Sequence, residues 1–207
     1  MDCLQIVESL SVIIASIVAV FGINSWRREM RGRKEYELAE EVLTLFYEAK
    51  DKIKAIRSPL GKKDEAEGRK TGEHETPAQK EALDQVYFIF KRYQNYQETF
   101  NRLDALRYRF MALFGNAKVE PFTRLNKMIN SIFIAANMLG GHYWPRLREG
   151  RIRTEEELDD INRQINKYEA VIWEGLAKPD PINDDVDIII KNIEEICGPI
   201  IKRKNSK

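Results

Sequence analysis

Cysteine and histidine are nearly absent from this chain, with two of each among 207 residues. That count excludes a disulfide scaffold. It also excludes a di-metal carboxylate bundle, which draws a Glu-x-x-His pair from each of two helices. Cys3 and Cys197 stand at opposite ends of the chain, His74 sits in a polar stretch and His142 beside two glycines, so no zinc-ligand spacing emerges. An excess of one charge is missing too: 34 Lys and Arg face 33 Asp and Glu, a net charge of +1. Neither the global basicity of a nucleic-acid binder nor the acidic surplus of a disordered chain is present. No run alternates apolar and polar residues between hairpin turns, which leaves no strand signal. Gly68-Arg69-Lys70-Thr71 has some of the residues of a phosphate-binding loop but lacks its Gly-x4-Gly-Lys spacing and its preceding strand. No metal or other cofactor is expected.

What the sequence does have is an uneven distribution of charge. From Ser9 to Trp26 no residue carries a formal charge, and Arg27, Arg28, Arg31, Arg33 and Lys34 follow at once. Counted from Leu4 to Trp26, a helix rising ~1.5 Å per residue spans a hydrocarbon core of ~30 Å. The expectation is a transmembrane anchor over 4–26, with residues 1–34 as an anchor unit. Trp26 and the five basic residues form its interfacial flank, and the N-terminus faces outward by the positive-inside rule. A cleaved signal peptide would carry its positive charge on the other side. Ser11, Ala15, Ala19 and Gly22 make a ridge of small side chains along one face, where a second span can approach. Glu8 lies near the outer end of that face, within reach of the headgroups.

The remainder, 35–207, reads as a cytoplasmic antiparallel bundle of about five helices, making the whole chain all-α. Ala39, Val42, Phe46, Ala49, Ile53 and Ile56 recur at steps of three and four, the stripe of a bundle helix or coiled coil. Ser58-Pro59-Leu60-Gly61 ends it. The segment 61–76 has no large apolar side chain, which predicts a mobile loop over 58–76. Thr76-Pro77 opens a second helix running to Phe114 before Gly115-Asn116, with Leu83, Val86, Phe90, Tyr93 and Phe100 inward, then Leu103, Leu106, Phe110 and Leu113. Tyr87, Phe88, Ile89 and Tyr96 widen its apolar surface, which implies contact with more than one neighbour. A third helix begins near Pro121 and runs to Gly140-Gly141. A fourth follows the capping residue Thr154, with Leu158, Ile161, Ile165, Tyr168 and Ile172 inward. A fifth starts near Asn183 and is expected to be interrupted at Gly198-Pro199.

Few residues point to chemistry. His142, Tyr143 and Trp144, next to Gly140-Gly141 and Pro145, are the most site-like group, but a turn between helices explains them with less assumed. Asp180, Asp184, Asp185 and Asp187 have the composition of a calcium loop without its spacing, and dipole complementarity at a helix start accounts for them. Cys197 lacks a paired histidine and lies on a helical stripe, where burial is expected. Aromatics interleaved with Lys91, Arg92, Arg102, Arg107 and Arg109 fit single-stranded nucleic acid in composition only, because the net charge such binding needs is absent. The uncharged segment 128–145 is long enough for a second span, yet Asn130, Asn137 and the glycines favour a central bundle helix.

The runs Trp26-Arg27-Arg28-Glu29 and Gly32-Arg33-Lys34-Glu35-Tyr36-Glu37-Leu38-Ala39-Glu40-Glu41, with Ile193-Glu194-Glu195-Ile196-Cys197-Gly198-Pro199-Ile200-Ile201, resemble those of uncharacterised bacterial single-span membrane proteins. The resemblance implies an inner-membrane protein with a helical cytoplasmic domain and transfers no catalytic residue. Together these readings predict a non-enzymatic, membrane-anchored interaction or scaffold module. Its expected partners are lipid around 4–26 and either a second copy or a partner membrane protein, not nucleic acid. The competing readings are a membrane effector or pore using 128–145, and an enzyme centred on His142.

Overall fold

The protein is seen in a computed structural model that describes residues 3–60, 68–150 and 154–202, with the side chains of 3–10 outside the described part. Its helices are α1 (Cys3–Arg57), α2 (Pro77–Phe114), α3 (Glu120–Met138), the short α4 (Trp144–Arg148), α5 (Glu155–Ile172) and α6 (Pro181–Lys202). Among the described residues there is no strand, and the architecture is an all-α bundle.

The longest element, α1, runs unbroken for 55 residues, about 80 Å at the α-helical rise. It contains no proline. Gly32 costs about 1 kcal/mol relative to alanine. It is bridged by the i,i+4 pair Arg31–Glu35 (3.0 Å) and followed by Arg33–Glu37 (2.8 Å), which return a few tenths each. Side chains from Ser11 to Lys34 are exposed, whereas Leu38, Ala39, Val42, Leu45, Phe46, Ala49, Ile53 and Ile56 are buried. One helix thus has a bare half and a packed half. In the packed half each buried Ile, Leu or Phe contributes about 1.5–3 kcal/mol.

Around the packed half, α2 and α6 run antiparallel to α1. The register against α2 is marked by Arg102–Glu41 (3.4 Å) and by Lys52 over the Tyr96 ring (4.9 Å). Against α6 it is marked by Tyr47–Glu194 (2.6 Å) and Lys50–Asp187 (2.7 Å). α3 brings Phe122 edge-on to Phe46 (4.9 Å) and Phe133 against Phe90 and Tyr93. Val86, Phe100, Leu103, Leu106 and Phe110 of the expected α2 stripe are buried, but because α2 is sandwiched between α1 and α3 the innermost positions of its first half differ from the expected ones. Ala82, Val86, Ile89 and Arg92 are buried, Phe90 and Tyr93 are half-buried against Phe133 of α3, and Leu83 is half-buried.

Local signals account for most helix ends. Thr76 and Gln79 close a reciprocal capping box before Pro77. Thr154 accepts from the Glu157 N–H, and Gly115 ends α2 at φ 89°, a left-handed conformation that favours glycine. The expected interruption at Gly198-Pro199 does not occur, and α6 continues to Lys202. Pro199 sits on the exposed side of the last turns, so the Glu195 carbonyl it leaves without a donor can be hydrated. Of the loop expected to be mobile, 61–67 lie outside the described residues. Arg69 binds Glu75 bidentately (2.8 and 2.7 Å) and also pairs with Asp84, which fixes 68–76 to α2.

α3 does not stop at Gly140-Gly141. It passes through a π-helical turn, Leu139–Tyr143, directly into α4. A Cβ on Gly140 would fall 2.5 Å from Val86 Cγ2 and 3.3 Å from the Ala82 carbonyl oxygen, so the glycine lets α2 touch backbone there. Gly140→Ala is expected to cost about 1–3 kcal/mol by overpacking. Thermal unfolding of the purified chain checks this: the melting temperature falls in Gly140→Ala and is partly restored by Val86→Ala, and no change would disprove the close approach.

Candidate functional site

Two regions set this molecule apart: the bare half of α1, and the interior joint that holds its other end. Over the bare half the apolar side chains point in every direction. Val12, Ile13, Ile14, Ile17, Val18, Val20, Phe21 and Ile23 are all at least half exposed, reaching 69% for Phe21. An apolar helix surface uncovered all round is the mark of a segment that meets lipid or other protein. Its hydroxyls are accommodated within the helix, since Ser16 Oγ donates back to the Val12 carbonyl (2.8 Å). Ser11, Ala15, Ala19 and Gly22 share one side, and nothing lies within 4 Å of where a Gly22 Cβ would be.

The expected transmembrane helix needs correction at this point. No helix among the described residues is long and apolar enough to cross a membrane. The apolar side chains placed by the structure run from Ser11 to Trp26, about 24 Å of helix, short of a ~30 Å core. The rest of the expected span, Leu4 to Leu10 with Glu8, falls on side chains outside the described part.

Directly after Trp26, itself 61% exposed, comes the basic collar. Arg31 and Arg33 are engaged by Glu35 and Glu37, and the Glu37 hydrogen bond raises the Arg33 pKa. Arg27, Arg28 and Lys34 form no ion pair among the described residues. Arg27, Arg31 and Lys34 recur at four- and three-residue steps, placing three cations on one side of the helix.

At the far end α1 terminates inside the protein. Arg57 is fully buried and its guanidinium is saturated. Nε donates to the Val171 carbonyl (2.8 Å), Nη2 to those of Ala170 and Trp173 (3.1 Å each), and Nη1 to Asn183 Oδ1 (3.3 Å). Nη2 also contacts the Asp180 carboxylate at 2.9 and 3.1 Å. Burial lowers the Arg57 pKa, against the pull of Asp180. For Asp180, burial pushes upward but is outweighed by the Gly175 and Asn183 N–H groups together with Arg57, and its pKa falls. Arg92 closes the same helix end from α2, donating to the carbonyls of Ile56 (3.2 Å), Ser58 (2.6 Å) and Leu60 (3.0 Å) while its guanidinium stacks over Phe88 (4.6 Å). Phe88 in turn stacks on Trp173 (4.9 Å).

The other sequence-nominated residues disperse. His142 is exposed and touches the Tyr143 ring edge-on at 4.9 Å. Tyr143 packs on Tyr168, and Trp144 is buried with its Nε1 donating to Glu169 (3.1 Å). These three residues turn to different surroundings, and the π turn serves helix packing. Asp180 caps α6 through the Ile182 and Asn183 N–H groups, Asp185 pairs with Arg124 and Asp187 with Lys50. Among the described residues no three His, Cys, Asp or Glu side chains converge as a metal site. Cys197 is buried, and burial pushes its thiol up to about 12, which removes the thiolate a nucleophile requires. Arg92, grouped by sequence with a basic face, is buried instead; Asp180 serves the helix start expected of it, but Arg57 and its pairing with Asp180 are not evident from the sequence. The available signal was an arginine one helical turn beyond the inward Ile53.

Comparison with known proteins adds no relative: no protein-family model matches the chain, nor does any curated protein or solved structure.

The depressed Asp180 pKa gives a signed pH dependence. Its contribution to stability is complete above the unfolded carboxylate value of about 3.9 and is lost as pH falls through the lower folded value. Melting curves from pH 7 to pH 2 are expected to show an acid loss that is shallower in Asp180→Asn, which starts from a lower melting temperature at pH 7. Parallel curves would contradict the assignment.

Proposed function

We propose that this chain is a membrane-anchored helical interaction module, held at a bacterial inner membrane by the N-terminal half of α1 and assembling there with itself or with a partner membrane protein. The observation that carries the reading is that the apolar surface of α1 from Val12 to Ile23 is uncovered on every side and ends at Trp26 and the basic collar. In water such a surface is costly at about 25 cal/mol per Å², and lipid around the helix removes that cost. A single apolar helix satisfies its own backbone, as the bilayer requires. The collar orients the chain with the bundle on the cytoplasmic side. The ridge Ser11, Ala15, Ala19 and Gly22 offers a second span a close approach.

The bundle supports an interaction role more than chemistry. Its buried polar groups tie helices together, and the His142 side chain faces solvent without a partner base or acid converging on it. A pore built from 128–145 is disfavoured, because Met128, Ile129, Ile132, Ala135, Ala136 and Leu139 are already packed in the core. Exposing them would forfeit the burial that holds α3 between α2 and α6.

The anchor is tested by Ile17→Asp with Val18→Asp in the full chain expressed in bacteria, followed by alkaline washing of membranes. Each acidic residue near a span centre costs about 2.5–3.5 kcal/mol. The native chain is expected to stay in the pellet and the variant to leave it. A native chain that washes off overturns the anchor. For association, chemical cross-linking in membranes is expected to weaken several-fold in Ala15→Leu with Ala19→Leu, and unchanged cross-linking removes the ridge from the account.

A further inference from the structure

The near-zero net charge conceals a local cluster of cations at one end of the bundle, without carboxylate partners among the described residues. The α1–α2 register set by Glu41 and Arg102 places the last turns of α2, with Arg107 and Arg109, level with α1 around residues 34–37. The α1–α6 register set by Tyr47 and Glu194 brings Lys202 level with Ala39. Lys118, in the turn after α2, is close enough to Cys197 near the end of α6 to act on its thiol. Arg107, Arg109, Lys118 and Lys202 therefore gather at the end of the bundle where α1 emerges, beside the collar. None of the four has a carboxylate partner among the described residues; Arg107 instead donates to the Tyr108 hydroxyl (3.1 Å). Of the acids nearby, Glu35 and Glu37 are engaged with the collar, Glu41 with Arg102, and Asp104 with Asn126, while Glu29, Glu40 and Glu120 are exposed. At the opposite end the charges are mixed: the acids that open α5 meet arginines, Glu157 with Arg146 and Asp160 with Arg163. Tyr108 (60% exposed) and Met111 (37%) add apolar surface to the basic end.

We infer that this basic end of the bundle is a docking surface for anionic lipid headgroups, seating the bundle against the membrane that takes up α1. The inference rests on the anchored reading for its geometry. From Trp26 at the hydrocarbon edge to Leu38, where packing starts, is about 18 Å of helix. The headgroup layer fills roughly 5–7 Å of that. The remaining gap is about a Debye length, which long Lys and Arg side chains or a modest tilt of α1 closes. An exposed tyrosine among arginines suits the headgroup level better than open water. Each basic residue so placed changes the docked-to-undocked ratio roughly fivefold.

The test uses the full chain carrying Cys3→Ser and Ala117→Cys, labelled with a fluorophore at the exposed position 117; the buried Cys197 thiol stays unlabelled. It is reconstituted into phosphatidylcholine vesicles, and into vesicles of equal parts phosphatidylcholine and phosphatidylglycerol, both doped with a headgroup-attached quencher. The expected result is flotation with both kinds of vesicle and quenching several-fold stronger in the anionic ones. That excess is relieved by salt in the native chain and lost in Arg107→Glu, Arg109→Glu, Lys118→Glu, Lys202→Glu. Flotation with both but quenching indifferent to lipid charge, salt and reversal overturns the headgroup surface and leaves the anchor standing. Flotation with anionic vesicles alone, abolished by the reversal, supports the surface and overturns the anchor. Flotation with neither overturns both. A labelled single-stranded oligonucleotide, added without vesicles, that binds the native chain and not the reversed one while quenching ignores lipid charge assigns the face to nucleic acid and overturns the proposal.

Discussion

The last turn of α1 ends in the protein interior, and its free carbonyls need donors there, because an unpaired buried carbonyl costs about 1–3 kcal/mol. Arg92 supplies donors from α2. Arg57, the last residue of the helix, turns its own guanidinium onto the carbonyls that close α5 and onto Asp180, which caps α6. A guanidinium is suited to this joint because its planar fork can serve several acceptors at once and keeps its charge when buried. Removing one partner of such a pair would cost about 3–5 kcal/mol, since the other charge would be left buried and uncompensated. α2, α5 and α6 thus meet at the foot of α1. The helix that carries the bare apolar segment is clamped at its C-terminal end and uncovered, among the described side chains, from Ser11 to Lys34.

That arrangement is what gives the exposed half a mechanical meaning. An uncovered apolar helix on a flexible tether would insert without fixing the body behind it. Here the same helix that leaves the bundle also forms its central packing element, with Leu38, Leu45, Phe46 and Ile53 fully buried. The direction of the exposed segment and the direction of the bundle are therefore one direction, and the basic end of the bundle faces whatever surface takes up residues 11–26. Continuity through Gly32, bridged by the Arg31–Glu35 pair and followed by Arg33–Glu37, transmits the orientation.

Much of this fold was legible in the sequence because helical periodicity is a local property. The stripe Ala39, Val42, Phe46, Ala49, Ile53 and Ile56 is buried as the spacing predicts, and Thr76, Gly115 and Thr154 mark ends as capping chemistry predicts. Non-local consequences were not legible. Tyr87, Phe88, Ile89 and Tyr96 announce that α2 has more than one neighbour, but that α3 is the second one and that Ala82 and Arg92 turn inward is written in no window of α2. The burial of Arg57 and Arg92 reflects carbonyls contributed by other helices, and an arginine looks the same in sequence whether it meets water or a helix end. Pro199 was read as a breaker because proline usually is one, whereas the exposed side of a final turn tolerates it. His142, Tyr143 and Trp144 drew attention through the glycines beside them, and Gly140 proved to serve contact with Val86.

The central claim is that one rigid helix passes from lipid through an interface into a protein core. It is tested most directly by nitroxide labels placed singly from residue 11 to residue 46 in the full chain in vesicles, with collision rates measured against oxygen and a water-soluble nickel complex. The account predicts nickel-poor sites from 12 to 23, oxygen-rich except along the ridge of Ala15, Ala19 and Gly22 where a second span packs, and a crossover at the collar from 27 to 34. From 38 onward it predicts a period near 3.6 residues, with accessibility lost at Leu38, Val42 and Phe46. Nickel reaching 12–23 freely, or a break in periodicity between 30 and 38, would contradict it.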